Sequence, residues 1–220
     1  MPEILVQYQT EIWQAIGDTF FMVGVSIIAA LLIGLPVGTF LYLCGKDKLL
    51  ENRIMYNVLN LLVNIIRSFP FLLLVVFLIP FTRLIVGTAI GTVAATIPLS
   101  IIAVAHYARL VEQALLDVPK GVIEAAVSMG ASVKRVIFSF ILVEARSGLV
   151  LALTTSIVSF ISYSTIMGVV GGGGIGDFAI RYGYQQFKTD LMLYMILIMI
   201  ILVQLIQMLG TSLARWLDKR

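Results

Sequence analysis

Charge is scarce in these 220 residues: 12% are Asp, Glu, Lys or Arg, 60% are hydrophobic, and mean hydropathy is +1.04. A soluble domain carries roughly a quarter of its residues charged, so much of this surface faces something other than water. Cysteine is nearly absent, and Cys44 alone cannot form an intramolecular disulfide, which excludes an oxidised framework. The single histidine, His106, has no Cys, Asp or Glu at metal-ligand spacing and reads as structural. No nucleophile–base constellation or metal cluster is present, so neither a catalytic role nor a bound cofactor is expected. A nucleotide-binding P-loop is also missing: Gly45-Lys46 is followed by Asp47, and Phe40 stands where the first glycine belongs. This chain therefore does not hydrolyse ATP by itself. A positive leader is lacking too, because Glu3, Glu11 and Asp18 precede any basic residue, and no cleaved signal is expected.

What the sequence has in abundance is uncharged length. Thr19 to Gly45 runs for 27 residues without a charge, Leu84 to Ala108 for 25, Ser147 to Gly176 for 30 and Leu191 to Leu213 for 23. Ile54 to Thr82 runs for 29, interrupted once by Arg67. A bilayer core about 30 Å thick needs about 20 apolar residues at about 1.5 Å each. Each run is long enough to span, giving an all-α integral membrane protein of about five transmembrane helices. Residues 1–18 form an N-terminal segment outside the membrane, and 19–220 form the membrane domain, with a polar excursion at 109–146.

Net charge +3 and a pI near 9.1 do not indicate nucleic acid, because the basic residues are scattered between apolar runs. They sort instead by side. Lys46, Lys48, Arg53, Arg109, Lys120, Lys134, Arg135, Arg146, Arg215, Lys219 and Arg220 fall on one face, and only Arg83, Arg181 and Lys188 on the other. Cytoplasmic loops are enriched in Lys and Arg, which places the N-terminus outside and the C-terminus in the cytoplasm. Tyr8, Trp13 and Trp216 sit near expected membrane edges. Pro80-Phe81-Thr82-Arg83 reads as a tight outer turn that makes a hairpin of the second and third spans, and Gly171 to Asp190 as a longer outer loop.

Within the cytoplasmic excursion, Val122, Ile123, Ala126 and Met129 recur at helical spacing. Pro119 suits a helix start and Gly130 a helix end. A second helical stretch follows, with Ser132 as a plausible N-cap and Val133, Ile137 and Phe140 on one face. Read from the residues alone, this is either a surface linker helix or a docking element. Glu124-Ala125-Ala126, three further residues, then Gly130 resembles the EAA loop of ABC importer permeases. That resemblance implies a type I permease fold in which Val122, Ile123, Glu124, Ala125, Ala126, Met129 and Gly130 form a coupling helix gripped by a cytoplasmic ATPase. It further implies two ATP-binding subunits, a second copy of this chain, and a periplasmic or lipid-anchored substrate-binding protein, in a bacterial inner membrane. The family's Ile and Leu-Pro pair are replaced here by Phe140, Leu142 and Val143. Gly34-Leu35-Pro36-Val37-Gly38, Arg67-Ser68-Phe69-Pro70, Ile79 to Thr88 and Tyr182-Gly183-Tyr184 resemble the methionine branch of that family, which implies methionine, including D-methionine and analogues, as the solute.

Asn57, Asn60, Asn64 and Arg67 share one helical face. Side chains of this kind inside a membrane face a cavity or another helix, so the stripe is either interhelical glue or, for Asn64, Arg67 and Ser68, pathway lining. Tyr163, Ile166 and Met167 are candidates for an apolar constriction. The run from Gly171 to Gly176 matches a dinucleotide fingerprint in form only, since no strand precedes it; close helix approach and a turn are expected instead. Gly34/Gly38 and Gly87/Gly91 read as helix-packing pairs, and Pro36, Pro70 and Pro98 as kink sites. The competing function class, a self-sufficient secondary transporter or channel, would call for several buried ionisable residues or an inverted repeat; Arg67 is the one ionisable residue inside a run.

Overall fold

The computed structural model describes residues 2–218, with side chains from Leu5 onward; Lys219 and Arg220, two of the basic residues assigned to the cytoplasmic face, lie outside the described residues. The described residues are mostly helical and contain no strand. A short α1 (Pro2–Gln7) leads into α2 (Gln9–Cys44), which starts ten residues before the uncharged run and continues for 36 residues. At about 1.5 Å per residue α2 is longer than a bilayer core requires. Its ladder loosens into a π-helical stretch at Ala30–Gly34, just before Pro36, the place where a proline ring clashes with the carbonyl one turn back.

The second apolar run does not form one straight helix. It divides into α3 (Arg53–Ser68) and α4 (Phe71–Phe77), which meet at 103°. Pro70 lacks an N–H, and its ring drives Phe69 to an extended φ/ψ of −68°/130°. The expected outer turn at Pro80–Arg83 is also helical. Pro80 opens α5 (Ile79–Val86), which ends at Gly87 with φ +84°. The third span is displaced accordingly, to α6 (Thr92–Leu116). It begins after Gly91, at φ +104°, and passes straight through Arg109. Gly87 and Gly91 would meet nothing within 4 Å if given a Cβ, so they serve backbone turns and not the helix packing expected of them.

The remainder comprises α7 (Lys120–Ser128), α8 at 133–144 with a π-helical centre Val136–Ile141, α9 (Arg146–Val169), α10 (Gly174–Phe178) running on through Ala179–Gln185, and α11 (Thr189–Leu217). Helix α9 stops at Val169, well before the uncharged run ends. The glycine-rich segment that follows makes the close approach expected of it, folding back as α10 against α2 and α9, so 171–190 is largely helical where a longer outer loop was expected. Glycine permits this fold-back. A Cβ on Gly176 would lie 2.4 Å from Thr165 Cα, and one on Gly168 2.3 Å from the Asp177 nitrogen. The Thr19 hydroxyl accepts the Ile175 N–H at 2.9 Å, and the Gly171 carbonyl accepts the Gly91 N–H at 2.9 Å.

Helix α6 is the central post. Ala103, Tyr107, Val111 and Leu115 face one continuous core that includes Val23, Tyr42 and Leu43 of α2 and Phe160 and Ile161 of α9. Gly34 and Gly38 let α2 touch α6, and there the packing reading holds: a Gly38 Cβ would sit 2.3 Å from the Ala108 carbonyl oxygen. The same core extends to Val118, Ala126, Val136, Ile141 and Ala145, so α7 and α8 are built into the body of the protein. Four helices are long and apolar enough to cross a membrane, and five spans result if the bent α3–α4 pair counts as one.

Candidate docking helix and translocation face

Helix α7 begins where Pro119, at ψ 132°, turns the chain out of the extended region, and the Pro119 carbonyl accepts the Val122 N–H at 3.1 Å. Its other end is closed twice. Gly130 donates to the Val127 carbonyl at 2.9 Å and Ala131 to the Ala126 carbonyl at 3.1 Å, with Gly130 at φ +72°. That pairing is a Schellman motif, whose left-handed residue is normally glycine because a Cβ there clashes with the backbone. Ser132 occupies the N-cap position of α8, but its hydroxyl makes no capping bond.

The helix presents two faces. Ala126 is 0% exposed against the core, with Val122 and Ile123 half-buried beside it. Glu124, Ala125, Val127, Ser128 and Met129 face outward, Met129 at 70% exposure. Met129 shares the helical spacing of Val122, Ile123 and Ala126 but turns outward, on the side open to a partner. An outward strip of small and apolar side chains with one carboxylate suits a helix-in-groove contact. Beside it a cleft of about 400 Å³ is lined by Tyr42, Asp47, Lys48, Lys120, Ile123 and Glu124.

The polar stripe on α3 divides by position. Arg109 of α6 reaches across with one Nη, donating to Asn60 Oδ1 at 2.6 Å and Asn64 Oδ1 at 2.8 Å. Its other Nη donates to Glu112 at 2.5 Å, and Asn64 donates to Asn60 at 3.2 Å. Asn60 and Asn64 thus bind helix to helix, whereas Asn57 is exposed beside a separate cleft. Arg67, in the last turn of α3, is exposed together with Ser68, not buried as its place inside an apolar run suggested. A cation there complements the negative end of the helix dipole.

Of the constriction candidates, Tyr163 packs on Phe71 with ring centroids 4.7 Å apart, and Ile166 is half-buried in the same cluster. Met167 is 3% exposed among Met22, Leu74, Ala95 and Leu99; it is core packing in this conformation and lines no open space there. His106 sets its ring edge-on to Phe160 at 6.1 Å, in keeping with a packing role.

Sequence reasoning missed the Arg109–Glu112 pair, in which Glu112 is the one buried charged residue among the described residues. Arg109 was placed in the cytoplasmic excursion because a charge ends an uncharged run. The usable signal was an Arg and a Glu three residues apart, immediately after the run, with asparagines one turn apart on the preceding span.

Comparison with known proteins bears on this architecture. Residues 30–220 match the family model for the binding-protein-dependent transport system inner membrane component. The chain is 44% identical to the "Probable D-methionine transport system permease protein MetI" of Vibrio cholerae, over 96% of this chain and 92% of that protein. It is 39% identical to the "Methionine import system permease protein MetP" of Bacillus subtilis, covering 96% and 95%. Its fold matches a chain from inward-facing conformations of the MetNI methionine ABC transporter with a TM-score of 0.94 at 38% identity, over 97% of this chain and 99% of that one.

Proposed function

The chain belongs to the family of binding-protein-dependent transport system inner membrane components, and from that premise we propose that it is the permease of an ATP-driven importer carrying methionine into the cell. It spans the membrane several times and works as a homodimer with two cytoplasmic ATP-binding subunits and an external binding protein. ATP hydrolysis belongs to the partner subunit. Family membership removes the self-sufficient transporter or channel as an alternative.

The observation that carries the coupling mechanism is the construction of α7. One face is seated in the main core through Ala126, and the other, from Glu124 to Met129, is open to a partner. A push on such a helix is transmitted to α6 and α2 through contacts that have little room to give. The ATPase grips α7 from the cytoplasm, and the two-state element it biases is the packing of α2, α6 and α9 about the pathway. The basic residues support a cytoplasmic C-terminus and an external N-terminus. Arg67 and Ser68, exposed at the break between α3 and α4, together with Tyr163 and Ile166, line the pathway on the dimer's inner side.

Two measurements test this reading. Cells lacking the chain should lose uptake of labelled methionine and regain it on restoration; unchanged uptake contradicts the solute assignment. Gly130→Val should lower substrate-stimulated ATPase activity of the reconstituted complex about tenfold, because a β-branched side chain at φ +72° unseats the helix end. Wild-type coupling in that variant contradicts the role of α7.

A further inference from the structure

Between α2 and α8 lies a groove of about 360 Å³ that the transport reading does not use. Gly34 and Gly38 direct one face of α2 at α6, while Leu35, Pro36, Phe40 and one edge of the core residue Leu43 line the groove. The facing wall comes from α8, through Val133, Ile137, Phe138 and Leu142. Phe40 and Phe138 are more than half exposed. The one hydroxyl in the lining, on Thr39, is already spent on the Leu35 carbonyl at 2.8 Å. Lys134 is the only charged residue of the lining, and it makes no hydrogen bond or ion pair among the described residues. It stands at the start of α8, beside Val133.

We propose that this groove holds one acyl chain of an anionic phospholipid, with the headgroup phosphate at Lys134. The wall from Leu35 to Leu43 extends about 12 Å along α2, about the length of eight to ten methylenes. An apolar slot in a membrane-spanning chain is filled from the bilayer, and a lysine at its mouth selects for negative headgroups. Because one wall is α2 and the other is the helix that follows α7, an occupant braces the docking helix against the first span. The site concerns lipid and not the transported solute.

Native mass spectrometry of the delipidated full-length chain in its transport complex tests the proposal, with phosphatidylglycerol, phosphatidylcholine of the same acyl chains, and glycerol phosphate as probes. Phosphatidylglycerol should bind about fivefold more tightly than phosphatidylcholine at this site. Lys134→Gln should abolish that preference without weakening phosphatidylcholine. Phe138→Ser, a change at an exposed position, should weaken both lipids severalfold and to a similar degree. Equal binding of the two lipids to the unaltered chain overturns the proposal. So does a preference that survives Lys134→Gln, or lipid binding that ignores Phe138→Ser. Binding of glycerol phosphate alone with comparable affinity would identify a soluble phosphate as the ligand and overturn the lipid assignment.

Discussion

Helices α6 and α11 are both apolar enough to cross a bilayer, yet 56% of the most apolar stretch of α6 is buried within the chain, against 11% for α11. The difference lies in side-chain size. The buried face of α6 is built on Ala94, Ala95, Ala103, Ala105 and Ala108, which let neighbouring backbones approach. Helix α11 carries Leu193, Leu197, Ile200, Ile201, Leu205 and Leu209 outward, and touches α9 closely where Gly210 meets Thr154. In a membrane protein the greasier helix is the one that faces lipid, because lipid tails are as apolar as leucine and burial brings no hydrophobic gain. What holds α6 in place is close packing, together with the bonds from Arg109 to Glu112, Asn60 and Asn64.

Four substitutions sharpen or break this contrast, in descending order of effect. Gly38→Leu drives a side chain into the Ala108 carbonyl and should cost at least ~3 kcal/mol. Little monodisperse protein should be recovered in detergent, while Gly17→Leu on the same helix, with nothing within 4 Å, should be recovered normally. Glu112→Ala leaves the Arg109 charge enclosed without its carboxylate partner, a loss of about 3–5 kcal/mol readable as a lowered thermal midpoint. Glu112→Gln, which keeps an acceptor, should lose distinctly less. Asn64→Ala removes one bond to Arg109 and should cost about 1 kcal/mol in the same assay. Leu209→Ala, on the outward face of α11, should change the midpoint by less than ~0.5 kcal/mol. A large loss at Leu209 with none at Glu112 would reverse the comparison.

The pattern of uncharged runs made the membrane class and the approximate number of spans legible in the sequence, and the Pro119 and Gly130 signals located helix α7 to within a residue or two. What was not legible came from treating charge and proline as simple boundaries. Arg109 was read as an end of a span, but inside the helix its two Nη groups are bonded to Glu112, Asn60 and Asn64, and α6 runs on to Leu116. Pro80 was read as a turn, whereas proline at the first turn of a helix loses no hydrogen bond. Pro70 was read as a kink and became a 103° break because the chain on either side finds separate neighbours. The glycine segment hid α10 for a similar reason: a fold-back that depends on contacts with Thr19 and Thr165 leaves no periodic trace in its own residues. Helical spacing alone also does not distinguish an apolar residue that packs inward, such as Ala126, from one that stays exposed, such as Met129.

The most direct measurement is the side and shielding of position 124. Glu124→Cys in a Cys44→Ser background places one accessible thiol on α7, since Cys44 is the only native cysteine and is buried. A membrane-impermeant maleimide should label it in inside-out vesicles stripped of the ATPase, fail to label it in intact cells, and lose access when the ATPase is restored. Labelling from outside intact cells, or labelling indifferent to the ATPase, would contradict a cytoplasmic helix gripped by an energy-supplying subunit.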